Sequence, residues 1–185
     1  MTQPTEPAKI EDLAALSETE RDELFRALPK TDLHCHLDGS LRVETVAELA
    51  SDPKIRKLAE DLGYSLPTDT DPEKLRKILR PGLGCSSLEE YLLPFDVICG
   101  VLQTPETLER AAYELAMDCF AETVWYLEVR FAPQRHIHPG LSGLDVLRAV
   151  DAGLALAERD TKGGIQSVIL VCAMRNYHES IGHYH

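Results

Sequence analysis

Polar and apolar residues alternate along the segment Thr31 to Leu37, strictly so from Asp32 onward. That period-two pattern predicts a strand with Asp32, His34 and His36 on one face and Leu33, Cys35 and Leu37 on the other. Alternation returns between Val124 and Phe131, where Trp125, Leu127, Val129 and Phe131 form an apolar face opposite Tyr126, Glu128 and Arg130. A third segment, Val168 to Ala173, is apolar without a break, as expected of a parallel strand buried on both faces. Helical spacing fills the intervals. Ser17 and Glu20 form a capping-box pattern for a short helix running to about Leu28. Asp38-Gly39-Ser40 reads as a turn, followed by a helix from about Val43 to Ala50. From Asp52 to about Gly100, helical pieces are expected to break at Pro53, Pro67, Pro72, Pro81 and Pro94. Thr104-Pro105 opens a helix whose apolar positions are Leu108, Ala111, Ala112, Leu115 and Cys119. Ser142 opens another that runs to about Arg159 and closes at Gly163-Gly164.

The order strand, helices, strand, helix, strand predicts an α/β fold with right-handed crossovers. Residues 1–28 form an extension with a short helix, and residues 29–185 the folded unit. Three strands are visible, whereas a complete eight-stranded α/β barrel takes about 250 residues.

Composition narrows the function. Apolar residues make up 44% and charged residues 27% of the 185 residues, the balance of a soluble globular protein. The formal net charge of -12 argues against nucleic acid or an anionic membrane as a partner. No apolar run approaches the roughly 20 residues that span a bilayer. The first ten residues lack the pattern of a secretory signal. Five scattered cysteines without a Cys-x-x-Cys pair fit reduced thiols in a cytoplasm.

Three His-x-His pairs carry the candidate chemistry: His34/His36, His136/His138 and His183/His185. Zinc takes imidazole nitrogen, and residues at i and i+2 of a strand point the same way. Only His34 and His36 combine a strand with a following Asp-Gly turn. His136 and His138 fall in a Pro-bounded loop, and His183 and His185 near the end of the sequence, where surface or packing roles are the simpler reading. Cys35 is expected to pack, with no base beside it. Asp38 is either a turn former before Gly39 or a ligand-binding carboxylate.

The run from Leu28 to Arg42, Leu-Pro-Lys-Thr-Asp-Leu-His-Cys-His-Leu-Asp-Gly-Ser-Leu-Arg, resembles the opening strand of the adenosine deaminase family in the amidohydrolase superfamily. Tyr126 to Pro133 resembles that family's second-strand motif, and Val168 to Arg175 its third strand. The resemblance implies a TIM-type (β/α)8 barrel, present here through about its first three strands with a helical insert after strand 1. It implies one Zn2+ per complete site, with His34 and His36 as the first two ligands and with His36 and Asp38 in contact with substrate. The implied reaction is hydrolytic deamination of adenosine, and of 2'-deoxyadenosine, to inosine with release of ammonia. Asp rather than Glu at position 38 favours a nucleoside over adenine. Glu128 and Arg130 are expected to form a buried ion pair inside the barrel. No catalytic acid/base is expected within this sequence: the family's His-x-x-Glu motif is absent, and His178-Glu179 does not match it. The chain alone is therefore expected to be inactive and prone to self-association through open barrel edges. Two other readings stay open, a deaminase of adenine or a related purine, and a non-catalytic half-barrel binding protein.

Overall fold

The structure is a computed structural model that describes residues 14–80 and 87–174. Pro81, His178-Glu179 and the His183/His185 pair lie outside the described residues. Helix α1 (Glu18–Ala27) starts at the expected capping box, with Ser17 and Glu20 exchanging side-chain and backbone hydrogen bonds. It has no buried residue. Lys30 holds its C-terminal end by donating from Nζ to the carbonyls of Arg26 and Leu28, and also to Glu122 O and Thr123 Oγ1.

Strand β1 (Lys30–His36) leads into a 3-10 turn at Leu37–Gly39 and then helix α2 (Val43–Ser51). Helices α3 (Pro53–Asp61) and α4 (Pro72–Leu79) each have an Asp N-cap, Asp52 or Asp71, and proline at the first helical position. There the missing proline N–H costs nothing, so Pro53 and Pro72 begin helices rather than only ending them. Pro94 departs from expectation: it sits inside α5 (Leu88–Val101). One backbone hydrogen bond is lost, yet burial of Val97, Ile98, Val101 and Leu102 on this stretch holds the helix together.

Helix α6 (Pro105–Ala121) is capped by Thr104 as expected, and buries Leu108, Ala111, Ala112 and Leu115. It feeds β2 (Val124–Phe131). Helix α7 (Gly143–Asp160), capped by Ser142, feeds β3 (Gln166–Val171). Gly163 closes the α7 exit with φ 78°, a left-handed conformation that glycine adopts without Cβ strain. Helices α6 and α7 pack at backbone contact. A Cβ placed on Gly153 would stand 2.2 Å from the Glu109 carbonyl oxygen.

The three strands are parallel in the order β1-β2-β3. Leu127, Val129 and Phe131 turn to the helices and form the core with Leu37, Val46, Leu108, Val146 and Ile165. Two register shifts correct the simple alternation. Lys30 pairs with Val124 and Thr31 with Tyr126, so β2 carries an extra residue at Trp125. Val124 is buried while Trp125 is 56% exposed, outside the apolar face assigned to it. The second shift lies between Asp32 and Cys35, where β1 carries the extra residue. Asp32 pairs with Leu127 and Cys35 with Val129, both helix-facing. Asp32 thus leaves the face of His34 and His36, and its Oδ1 accepts from the His34 N–H at 2.9 Å. Strand β3 is also less buried than expected. Val168 and Val171 are 40% and 41% exposed, because among the described residues β3 pairs with β2 alone. No described helix is long and apolar enough to cross a membrane.

Candidate active site

The C-terminal ends of β1 and β2 carry the candidate chemistry. His36 pairs with Arg130, which pairs with Leu170. This row faces away from the helices, since register partners in a parallel sheet point the same way. His34 and His36 are both exposed, with ring centroids 5.3 Å apart and planes tilted by 37°. Two imidazoles sharing one tetrahedral zinc at ~2.0–2.1 Å Zn–N would place their centroids about 5.2 Å apart. The donor type and spacing therefore fit half of such a site. Among the described residues no group of three or more His, Cys, Asp or Glu is placed to hold a metal.

Asp38 follows in the 3-10 turn, its side chain only 16% exposed. Oδ1 lies 3.7 Å from His36 Nδ1, too far for a hydrogen bond, and has no hydrogen-bond partner. Burial raises the Asp38 carboxyl above the usual range, against the opposing pull of His36 and of Arg135. A buried carboxylate oxygen without a partner is costly, and a hydroxyl donor arriving there would satisfy it. The turn role also holds, since Ser40 N donates to Leu37 O.

Arg130 does more than pair with Glu128. The ion pair is long, 3.8 Å, with the side chains 19% and 24% exposed. The shorter bond runs from Arg130 Nη2 to the Leu33 carbonyl at 2.6 Å, fastening β2 to the bulge beside His34. On the helix side, Cys35 Sγ lies 3.5 Å from Ser40 Oγ. The neighbouring Cys119 thiol lowers the Cys35 pKa and is itself raised by the same contact.

The second histidine pair is structural. His136 is 1% exposed, and its Nδ1–H donates to Leu102 O at 2.8 Å. Burial pushes its pKa down to about 4. His138 Nε2 lies 3.1 Å from Gln103 O. Both rings pin the loop after β2 to the end of α5.

Sequence reasoning missed Gln134 and Arg135, which sit in the 3-10 turn Pro133–Arg135 at the mouth of β2. Arg135 pairs with Asp96, and its guanidinium stands 6.0 Å from the Tyr64 ring centroid. Its carbonyl accepts from Tyr64 Oη at 2.8 Å and Gln103 Nε2 at 3.0 Å. The Gln134 amide is buried with both polar atoms unpartnered. The one available signal was a proline turn at a strand's C-terminal end, where α/β barrels place their functional loops. A surface cavity lined by Asp22, Phe25, Arg26, Lys30, Ala121 and Glu122 lies at the other end of the strands.

Residues 29–183 match the profile of the family described as Adenosine deaminase. An adenosine deaminase of Clostridium perfringens (strain SM101 / Type A) is 40% identical over 156 residues, covering 83% of this chain and 43% of that protein. Among solved structures, the ADAL–IMP complex superposes with a TM-score of 0.64 at 29% identity, covering 87% of this chain and 46% of that one. The apo N6-methyl-AMP deaminase from Arabidopsis thaliana gives 0.58 at 30% identity, covering 80% and 41%. The chain spans less than half the length of these relatives. Its three strands and their helices correspond to part of an amidohydrolase TIM barrel. With a family profile matching most of its length and relatives at about 40% identity, this chain belongs to the adenosine deaminase family.

Proposed function

We propose that this chain supplies the first two zinc ligands, His34 and His36, and the sugar-binding carboxylate, Asp38, of a hydrolytic adenosine deaminase. The observation that carries this reading is the exposed imidazole pair at 5.3 Å, followed two residues on by a buried carboxylate with an unpartnered oxygen. His34 and His36 would hold the zinc, which when bound would supply an acidified water for hydrolysis at the ring carbon bearing the amino group. The chain's own residues orient. Arg130 braces the carbonyl of Leu33 and so fixes the strand carrying the ligands. Asp38 Oδ1, buried without a partner, would accept a hydrogen bond from a neutral sugar hydroxyl, whereas an ionised carboxylate repels a phosphate. That favours a nucleoside over a nucleotide.

Two assays test the proposal. The purified chain is expected to release no ammonia from adenosine, since two ligands without a general acid/base do not make a catalytic site. Grafted as residues 29–174 in place of the equivalent part of the Clostridium perfringens relative, the same segment is expected to give a folded enzyme that deaminates adenosine. His34→Ala or His36→Ala should cost that chimera more than the ~10–100-fold typical of losing an outer-shell partner. Asp38→Ala should raise KM more than it lowers kcat. A folded chimera indifferent to both histidine substitutions would refute the assignment. Faster turnover of adenine, or of AMP, than of adenosine would move the substrate to the alternative purine class.

A further inference from the structure

Cys35 lies between His34 and His36 but points to the other side of β1. Its register partner is the fully buried Val129, so its thiol faces the helices. There it meets α6. The Cys35 and Cys119 thiols touch, and both side chains pack on the same apolar core. Two further ties hold this corner together. Cys35 Sγ is 3.5 Å from Ser40 Oγ, which donates to the His36 carbonyl at 2.6 Å. Two residues on, Arg42 binds Asp118, the chain neighbour of Cys119, through hydrogen bonds of 2.9 and 2.5 Å. The other described cysteines have different neighbours, Cys99 beside Arg135 and Cys172 over the Leu170 carbonyl. Every part of the arrangement belongs to β1, the segment just after it and α6, so it does not depend on strands beyond β3.

We propose that Cys35 and Cys119 form a reversible disulfide, a redox switch that acts on the histidine pair through β1. The oxidant is hydrogen peroxide. One thiol takes an oxygen atom from it, becoming a sulfenic acid as the O–O bond breaks and one water is released. The sulfur of the other thiol then bonds to that sulfur, and the oxygen leaves as a second water. The two thiols together lose two electrons and two protons to the peroxide. A small thiol reductant restores both by exchange. In a reducing compartment the pair rests as thiols, so the bond forms only when an oxidant arrives. A covalent bond is shorter than the contact it replaces, and oxidation therefore draws Cys35 towards α6. It also takes Cys35 from Ser40, whose hydroxyl holds the His36 carbonyl. Because Cys35 is joined directly to His34 and His36, the displacement reaches both imidazoles. That this alters a metal site rests on the reading of these histidines as ligands; the disulfide itself does not.

The whole chain, free of metal, is treated with hydrogen peroxide and followed by intact mass, peptide mapping and NMR of the histidine rings. The expected result is a loss of about 2 Da, the two thiol hydrogens, with a cross-link between Cys35 and Cys119. The His34 and His36 ring resonances should move, those of His138 should stay, and dithiothreitol should reverse the change. Cys35→Ser and Cys119→Ser should each abolish the mass loss and the shift. A variant carrying Cys85→Ser, Cys99→Ser and Cys172→Ser together should keep both. Oxygen addition without cross-linking, or a cross-link to any other cysteine, would overturn the pairing. A Cys35–Cys119 bond that leaves the His34 and His36 resonances in place would overturn the switch. None of these readouts uses zinc, so a chain that meets them yet holds no zinc at the histidines keeps the switch and loses only the ligand reading.

Discussion

His136 and His34 carry the same side chain in the same His-x-His spacing and have opposite fates. His34 sits on a strand and stays exposed; His136 sits in a loop, buried and neutral. The difference was legible because strand placement was the deciding feature. What the pattern could not reveal was that the loop histidines act as pins, since Leu102 and Gln103 become their partners only after α5 packs. His136 makes a specific pH dependence. Its pKa is near 6.5 when unfolded and about 4 when folded. Between those values the unfolded chain binds more protons, so the stabilisation is complete above pH 6.5 and is lost as pH falls toward 4. At about 1.4 kcal/mol per pKa unit, the full loss is on the order of 3 kcal/mol. His136→Asn keeps a donor for Leu102 O without a titrating ring. Chemical denaturation from pH 7 to pH 4 should therefore show a shallower decline for the variant than for the parent, and parallel profiles would contradict the buried neutral assignment.

At the level of elements, the caps were the most legible features. Ser17, Thr104 and Ser142 each begin a helix where the sequence placed one, because a side-chain acceptor and the first helical turn are local chemistry. The strand faces were less so. Alternation assigns faces correctly only while the register is unbroken, and the two extra residues moved Asp32 off the histidine face and Trp125 off the apolar one. A bulge is fixed by what the neighbouring strand offers, which here is Arg130 bonding the Leu33 carbonyl. Pro94 was misread for a related reason, as packing outweighed a lost backbone bond. The close approach of α6 and α7 gives an element-scale prediction. Gly153→Ala would force a methyl group against the Glu109 carbonyl, and overpacking of this kind typically costs ~1–3 kcal/mol. Thermal unfolding should show a lower midpoint, although alanine otherwise favours helix over glycine. An unchanged or raised midpoint would mean that the two helices are not in backbone contact.

For the molecule as a whole, three parallel strands backed by helices give one well-packed face, and among the described residues the histidines lie exposed on the other. The fold class and its partial barrel followed from the order of elements and from the two motifs around His34 and Tyr126. The proposed metal pair rests on a strand, a spacing and a turn. The setting of Arg135 did not follow from the sequence, because it arises where the mouth of β2 meets Asp96, Cys99 and Tyr64, contacts made across distant segments. The central claim is that His34 and His36 bind one zinc ion. X-ray absorption at the zinc edge, on the zinc-loaded chain and on the variant carrying both His34→Ala and His36→Ala, measures this most directly. The account predicts nitrogen ligands at ~2.0–2.1 Å with the outer-shell scattering of imidazole rings, absent from the variant. A spectrum showing oxygen ligands alone, or one that the two substitutions leave unchanged, would contradict it.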